Sequence, residues 1–296
     1  MHVPDRRFDV RDYAVALMIN LVWGLNIVVA KLSVELVPPF TVGLLRQAIV
    51  LTVCLPFLKV VPGRMRLLML LGIVSGGLFF ALVNLSLVAS DNVGALAIAG
   101  QLGAPFSLIL AIIFLKERIG ATRIVGMTLA MGGCAILVFD PGIAKEWRGL
   151  ALTVGASMAW AFGSLIQRKL IGVPVLTIYA WFGLGGLIVL APLAFVMEPT
   201  AVRGLDAIPA KAFGLIAISA IGSTLIGQGG MAWLLQRHPV SAVVPMTLGA
   251  PVIAVIASSI VFAIPLTPIM ILGGVVAMAG VAIVTMRTAS RAEEKP

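Results

Sequence analysis

The chain has 296 residues, 60% of them hydrophobic and only 11% charged, whereas an ordinary soluble domain is about half apolar and about a quarter charged. That excludes a water-soluble fold, and at about 20 residues per membrane crossing ten crossings leave no room for a sizeable soluble domain. The formal charge of +9 would suggest nucleic acid in a soluble chain, but here the basic residues lie between apolar runs, so the bilayer and not a nucleic acid is the expected partner.

In chain order, apolar runs lie near Tyr13 to Leu32, Pro39 to Leu58, Leu67 to Val88, Val93 to Leu115, Ile124 to Phe139, Leu150 to Ile166, Val175 to Met197, Ala212 to Leu235, Val240 to Ile264 and Pro268 to Met286. They are continuous and rich in Leu, Ala and Gly, where a membrane barrel would alternate residue by residue in segments of about ten. An all-α integral membrane protein of ten transmembrane helices is expected. The first run exceeds a signal-peptide core and has no A-x-A-like cleavage site, so it reads as a retained span. Cys54 and Cys134 fall inside apolar runs with no CxxC spacing, so neither a disulfide framework nor a metal site is expected.

Lys and Arg set the orientation, because positive charge near span ends stays in the cytoplasm. With the N-terminus inside, fifteen basic residues face the cytoplasm, Arg6, Arg7, Arg118, Arg123, Arg287, Arg291 and Lys295 among them. Five face the other side: Lys31, Lys145, Arg148, Arg203 and Lys211. Both termini are therefore expected in the cytoplasm.

The halves of the chain can be laid over each other. Trp23 meets Trp160 and Lys31 meets Arg168 at a shift of 137, and Val37-Pro38, Thr41 and Pro56 meet Val173-Pro174, Thr177 and Pro192 at 136. Gly76 meets Gly222, and Leu102-Gly103-Ala104-Pro105 meets Leu248-Gly249-Ala250-Pro251, at 146. Gly126, Ala130-Met131, Gly133 and Ala135-Ile136 meet Gly273, Ala277-Met278, Gly280 and Ala282-Ile283 at 147. The shift jumps once, in the loop around Glu198 to Lys211, where insertions are tolerated. Two repeats are expected, residues 1–142 and 143–296. With five spans each, the second enters the membrane from the other side, the inverted architecture of alternating-access carriers. Such a repeat can also serve only to build a stable bundle.

A first-span W-G-x-N, an Arg in the second span, an L-K-E-R loop after the fourth and the LGAP of spans 4 and 9 together resemble the EamA-type members of the drug/metabolite transporter superfamily, over essentially the whole chain. Within it the chain is most similar to the bacterial YddG-type exporters of aromatic and other amino acids. The resemblance implies a cavity built from spans 1 to 4 and 6 to 9, with spans 5 and 10 peripheral, in the bacterial inner membrane. The second half departs from the pattern at Ala263, opposite Glu117, and at Phe182, opposite Arg46.

An ionisable group at membrane depth is a functional candidate by default, yet all twelve acids fall outside mid-span and the two histidines, His2 and His238, are a tail and a loop residue. A relay of buried acids or imidazoles has no evident carrier, so transport runs down the substrate gradient or couples through groups near the span ends. Without a buried acid, zwitterions or neutral amphiphiles are expected over organic cations. Arg46, roughly 10 Å into its span at 1.5 Å per residue, binds a substrate carboxylate, bonds helix-end carbonyls or snorkels toward the outer surface; Lys31 reads as an interfacial anchor.

Gly72-xxx-Gly76, Gly132-Gly133 and Gly273-Gly274 read as helix packing. Pro105 and Pro251, at matched positions, are candidate hinges, each freeing the carbonyl four residues earlier, at Gln101 and Thr247. Asn26, Asn84, Gln101, Ser164, Gln228 and Thr247 are the candidate polar pocket, with Trp160, the partner of Trp23, as an aromatic surface for a flat substrate. Tyr179, Trp181 and Trp233 rank behind it, and Trp147 reads as an interface anchor.

The expected function is an alternating-access transporter exporting aromatic or other apolar amino acids and related small amphiphiles, the direction resting on the resemblance. A membrane enzyme acting on lipid-linked substrates would need a catalytic constellation, and none is present. A multidrug or other-metabolite carrier of the same fold remains open, and a channel would want a more continuous polar lining. No cofactor is called for, and no motif speaks to oligomeric state.

Overall fold

The computed structural model describes residues 8–116, 120–235, 237, 238, 243 and 246–293. Arg6, Arg7, Glu117, Arg118, Val240 and Lys295 lie outside the described residues, as do the side chains of Arg123, Arg287 and Arg291. Among the described residues all regular structure is helical, as a membrane core demands, since every backbone N–H and C=O there must be satisfied within the chain.

Seven helices are long and apolar enough to cross a membrane: α1 (Val10–Leu36), α2 (Pro39–Phe57), α3 (Met65–Val88), α4 (Val93–Phe114), α6 (Trp147–Arg168), α7 (Val175–Met197) and α8 (Ala210–Leu234). Three shorter apolar helices are α5 (Ile124–Ile136), α9 (Gly249–Phe262) and α10 (Pro268–Val284). Local chemistry sets several starts. Proline stands at the first position of α2 and immediately before α7 and α8, where its missing N–H costs nothing, and the Asn92 side chain caps α4 by accepting the Ala95 N–H at 2.9 Å.

Irregularities recur in the two halves. π-helical turns occupy Gly72–Leu78 in α3 and Ile218–Gly227 in α8. The helices ending at Leu115 and Phe262 are both closed by a left-handed residue, Lys116 and Ala263, each at φ 52°. Neither is glycine, so both hold a conformation L-residues seldom adopt.

The chain divides into two compact units, each drawing on both halves of the sequence. The first comprises Val29–Asp91 with Arg148–Gly222: the end of α1, α2, α3, α6, α7 and the start of α8. In it α3 and α7 meet through glycines, because a Cβ on Gly72 would lie 2.5 Å from the Trp181 carbonyl oxygen and one on Gly76 2.3 Å from that of Phe182. Lys31 is not an interfacial anchor: it is buried, its Nζ 2.7 Å from the Leu87 carbonyl oxygen and 2.9 Å from that of Ser90. It caps the end of α3, whose last carbonyls have no partner within the helix, with Asp91 at 3.7 Å and Glu35 at 3.9 Å.

The second unit holds the start of α1, Asn92–Trp147 with α4 and α5, and the described residues from Ser223 on. Here α5 and α10 lie in backbone contact. A Cβ on Gly133 would stand 2.3 Å from the Ala277 nitrogen, and one on Gly280 2.2 Å from that of Ala130. Gly132, expected to pack with its neighbour, faces open space. In lipid no hydrophobic drive joins helices, so such close approach, with its dispersion contacts, supplies much of the association.

Candidate functional site

In the first unit a row of aromatic rings runs across α6, α3 and α7. Trp160 lies 5.5 Å from Phe79, Phe79 5.0 Å from Phe80, Phe80 6.2 Å from Phe182, and Phe182 5.7 Å from Tyr179, all centroid to centroid. These are offset or edge-on spacings that aromatic pairs prefer. At one end Trp160 is 41% exposed, while Tyr179 at the other is buried.

Arg46 joins the row from α2. Its guanidinium carbon sits 4.4 Å over the Phe80 ring, and its Nη1 donates to the Ser219 hydroxyl in the π-turn of α8. Stacking on a ring face suits a planar, weakly hydrated cation. Phe182, which stands opposite Arg46 when the two halves of the sequence are laid over each other, reaches the same Phe80 ring from the other half of the chain. Behind them Gln47 donates from Nε2 to the Gly76 carbonyl at 2.7 Å, serving a π-turn whose backbone is irregular.

Of the residues expected from sequence, this unit links the buried Arg46 to Trp160 through the Phe80 and Phe79 rings. Ser164 lies one turn from Trp160 on α6 and donates to its carbonyl at 3.0 Å. Asn84, one turn beyond Phe80, is buried and donates to the Pro39 carbonyl at 2.9 Å, tying α3 to the start of α2. Phe79 and Phe80 were not singled out in the sequence, where adjacent phenylalanines in an apolar run look like any packing residues; Phe182 was noted only as standing opposite Arg46.

The second unit holds Asn26, Pro105, Gln101, Gln228, Thr247 and Pro251. Gln101 and Pro251 line one cavity of about 220 Å³ with Ile98, Val255, Met270 and Met278, and Gln101 is the single polar side chain among its lining residues. Asn26 and Gln228 are half-buried in α1 and α8, and Thr247 lies in the turn before α9.

The prolines do not leave open carbonyls. Each is the third residue of its helical segment. The Thr247 carbonyl accepts the Ala250 N–H at 3.2 Å, and a 3-10 turn at Gly100–Leu102 directs the Gly103 N–H to the carbonyls of Gly100 and Gln101. A tightened turn re-satisfies what proline frees. Trp23, the counterpart of Trp160, donates from its indole to the Ser223 carbonyl at 3.1 Å and packs against Gly227.

The EamA-like transporter family model matches the chain twice, over residues 12–139 and 147–286. A protein of Escherichia coli (strain K12) described as a "Probable amino-acid metabolite efflux pump" is 25% identical over 278 residues, covering 91% of this chain and 93% of that protein. A "Probable terminal-alkyne amino-acid exporter" of Streptantibioticus cattleyicolor is 27% identical over 194 residues, 64% of this chain and 63% of its own. A solved crystal structure shares the fold at a TM-score of 0.63 and 18% identity, spanning 97% of this chain and 100% of that one.

Proposed function

Because the chain belongs to the EamA-like transporter family, whose members and relatives here are membrane transporters and not enzymes, we propose that it is an alternating-access exporter of amino acids with aromatic or other apolar side chains. The observation that carries this reading is the double family match, once in each half. Residues 1–142 and 143–296 are then two inverted five-helix repeats, ten spans in all, with both termini in the cytoplasm of a bacterial inner membrane. The recurrence of π-turns in α3 and α8, and of left-handed closures at Lys116 and Ala263, supports the duplication. Near-symmetric halves can exchange conformations and so open to either face in turn.

The substrate class follows from the first unit's chemistry. The row from Trp160 to Phe80 offers stacking faces to an apolar side chain, and the guanidinium of Arg46 matches a carboxylate with two parallel N–H donors. Within that unit Asn84 and Ser164 supply polar contacts to a zwitterion; in the other unit, taken by itself, Gln101, Gln228, Asn26 and Thr247 are the polar candidates, with Pro105 and Pro251 as hinges. No acid is needed, consistent with a substrate whose net charge is zero.

Purified protein in liposomes, tested against amino acids, nucleosides and organic cations with and without a pH gradient, is expected to carry aromatic and branched amino acids saturably. Flux of organic cations alone would overturn the substrate class. Cysteine labelling that puts the two chain ends on opposite faces of the bilayer would overturn the inverted repeat.

A further inference from the structure

The two ends of the first unit differ in charge. Where α2 and α6 finish and α3 and α7 begin stand Lys59, Arg64, Arg66, Arg168 and Lys169, all exposed. Among the described residues of this unit every acid, Glu35, Asp91, Glu198 and Asp206, belongs to the other end, where Lys31, Arg148, Arg203 and Lys211 balance the charge. One end is therefore strongly positive and the other neutral.

The positive end is held together across its two loops, residues 58–64 and 169–174. Arg64 Nη1 donates to the Lys169 carbonyl, and the indole of Trp181, in the second turn of α7, donates to the Lys59 carbonyl at 2.9 Å. Each loop reverses through a left-handed glycine, Gly63 at φ 75° and Gly172 at φ 91°. Each is also folded into short turns, with the Arg64 N–H on the Val61 carbonyl in one and the Val173 N–H on that of Leu170 in the other. Even fully extended, loops of this length rise out and back by at most roughly 12 Å, so their cations stay close to the level of the lipid phosphates at the edge of the hydrocarbon.

The apolar side chains at this end fit the same depth. Val60 is 74% and Ile171 83% exposed, with Phe57 and Val175 exposed beside them. Loops projecting into water would leave these residues wet, whereas at the boundary between headgroups and acyl chains they rest on hydrocarbon. Both α3 and α7 start here without a side-chain cap, and the first N–H groups of a helix have no partner within it.

We propose that this end of the first unit is a binding surface for an anionic phospholipid, its cations holding the phosphate while Val60 and Ile171 lie against the acyl chains. A phosphate diester accepts from several donors at once, and arginine meets it with parallel N–H groups. In the proposed topology this end faces the cytoplasmic leaflet. Beside an anionic leaflet each basic group is worth roughly fivefold in affinity. The binding does not depend on what the protein transports.

Native mass spectrometry of the detergent-solubilised full chain, titrated with dioleoylphosphatidylglycerol or dioleoylphosphatidylcholine, reads the first lipid bound. The full chain is expected to prefer the phosphatidylglycerol about 100-fold, and Lys59→Gln with Arg66→Gln to lose about 25-fold of that preference. Arg203→Gln with Lys211→Gln removes the same charge from the opposite end and is expected to change it less than about twofold. Val60→Gln with Ile171→Gln keeps every cation and is expected to weaken phosphatidylglycerol binding about tenfold. All these side chains are exposed; should the first double variant not be monodisperse, Lys59→Gln alone, with an expected loss of roughly fivefold, serves in its place.

No preference for phosphatidylglycerol in the full chain, or equal losses in the two charge variants, would overturn the surface. Undiminished binding in the Val60 and Ile171 variant would overturn the interfacial placement on which it rests. Glycerophosphorylglycerol, the same headgroup without chains, is expected not to displace the lipid at equal concentration; displacement would overturn a lipid as the occupant.

Discussion

Glu198, where α7 ends, accepts the backbone N–H of Thr41 in the first turn of α2 at 2.7 Å, together with the Thr41 hydroxyl at 2.7 Å and the Phe40 N–H at 2.9 Å. Pro39 opens α2 and has no N–H, so the carboxylate serves the next two donors, where the helix dipole also favours negative charge. Glu198→Ala is expected to cost about 2 kcal/mol, the range for hydrogen bonds to a charged group, and Glu198→Gln about half as much. Unfolding in mixed detergent micelles measures both; equal stability of the three proteins would refute the contact's role.

Lys31 gives a second stability test. Its stem is buried and its ammonium group satisfies the carbonyls of Leu87 and Ser90. Lys31→Met keeps the packing volume and removes the donors, so it is expected to destabilise by about 1–3 kcal/mol. An interfacial lysine would tolerate the change, so unaltered stability would return it to the surface role expected from sequence.

The α5–α10 contact predicts a contrast between adjacent residues. A methyl group on Gly133 meets the Ala277 nitrogen at 2.3 Å, while nothing stands within 4 Å of one on Gly132. Gly133→Ala is expected to cost about 1–3 kcal/mol or more through overpacking, and Gly132→Ala to stay within about 0.5 kcal/mol of the parent. Thermal midpoints of the two purified variants decide the matter, and similar losses in both would contradict the helix pairing.

The aromatic row makes a prediction about selectivity. Trp160→Ala is expected to raise the KM for aromatic amino acids about tenfold, roughly the worth of one aromatic pair, and to affect apolar aliphatic ones less. Arg46→Met is expected to lower phenylalanine flux at least as much while sparing an uncharged aromatic amide, which has no carboxylate to bind. Normal phenylalanine flux in Arg46→Met would assign the guanidinium to holding α2, α3 and α8 together through Phe80 and Ser219.

Much of the local architecture could be read from residue order. Gly72, Gly76, Gly133 and Gly273 announced close helix contacts, and Trp160 and Arg46 stood out as a large ring and a charge in apolar runs. Phe79 and Phe80 did not, because a phenylalanine that stacks on a guanidinium and one that meets lipid are written alike. The expectation of open carbonyls before Pro105 and Pro251 failed for a local reason: the chain tightened to a 3-10 turn or engaged the Ala250 N–H instead.

Lys31 and His238 mark the boundary between the two kinds of information. The order of residues by itself determined that the chain lives in a bilayer and that its apolar runs are helices, because both follow from length, hydropathy and the need to satisfy the backbone without water. Only the tertiary structure decided that Lys31 turns inward to the end of α3 and that His238 lies on Asp12. Both partnerships join groups far apart in the chain, and whether a charge near a span end meets water or protein depends on which helix happens to lie beside it.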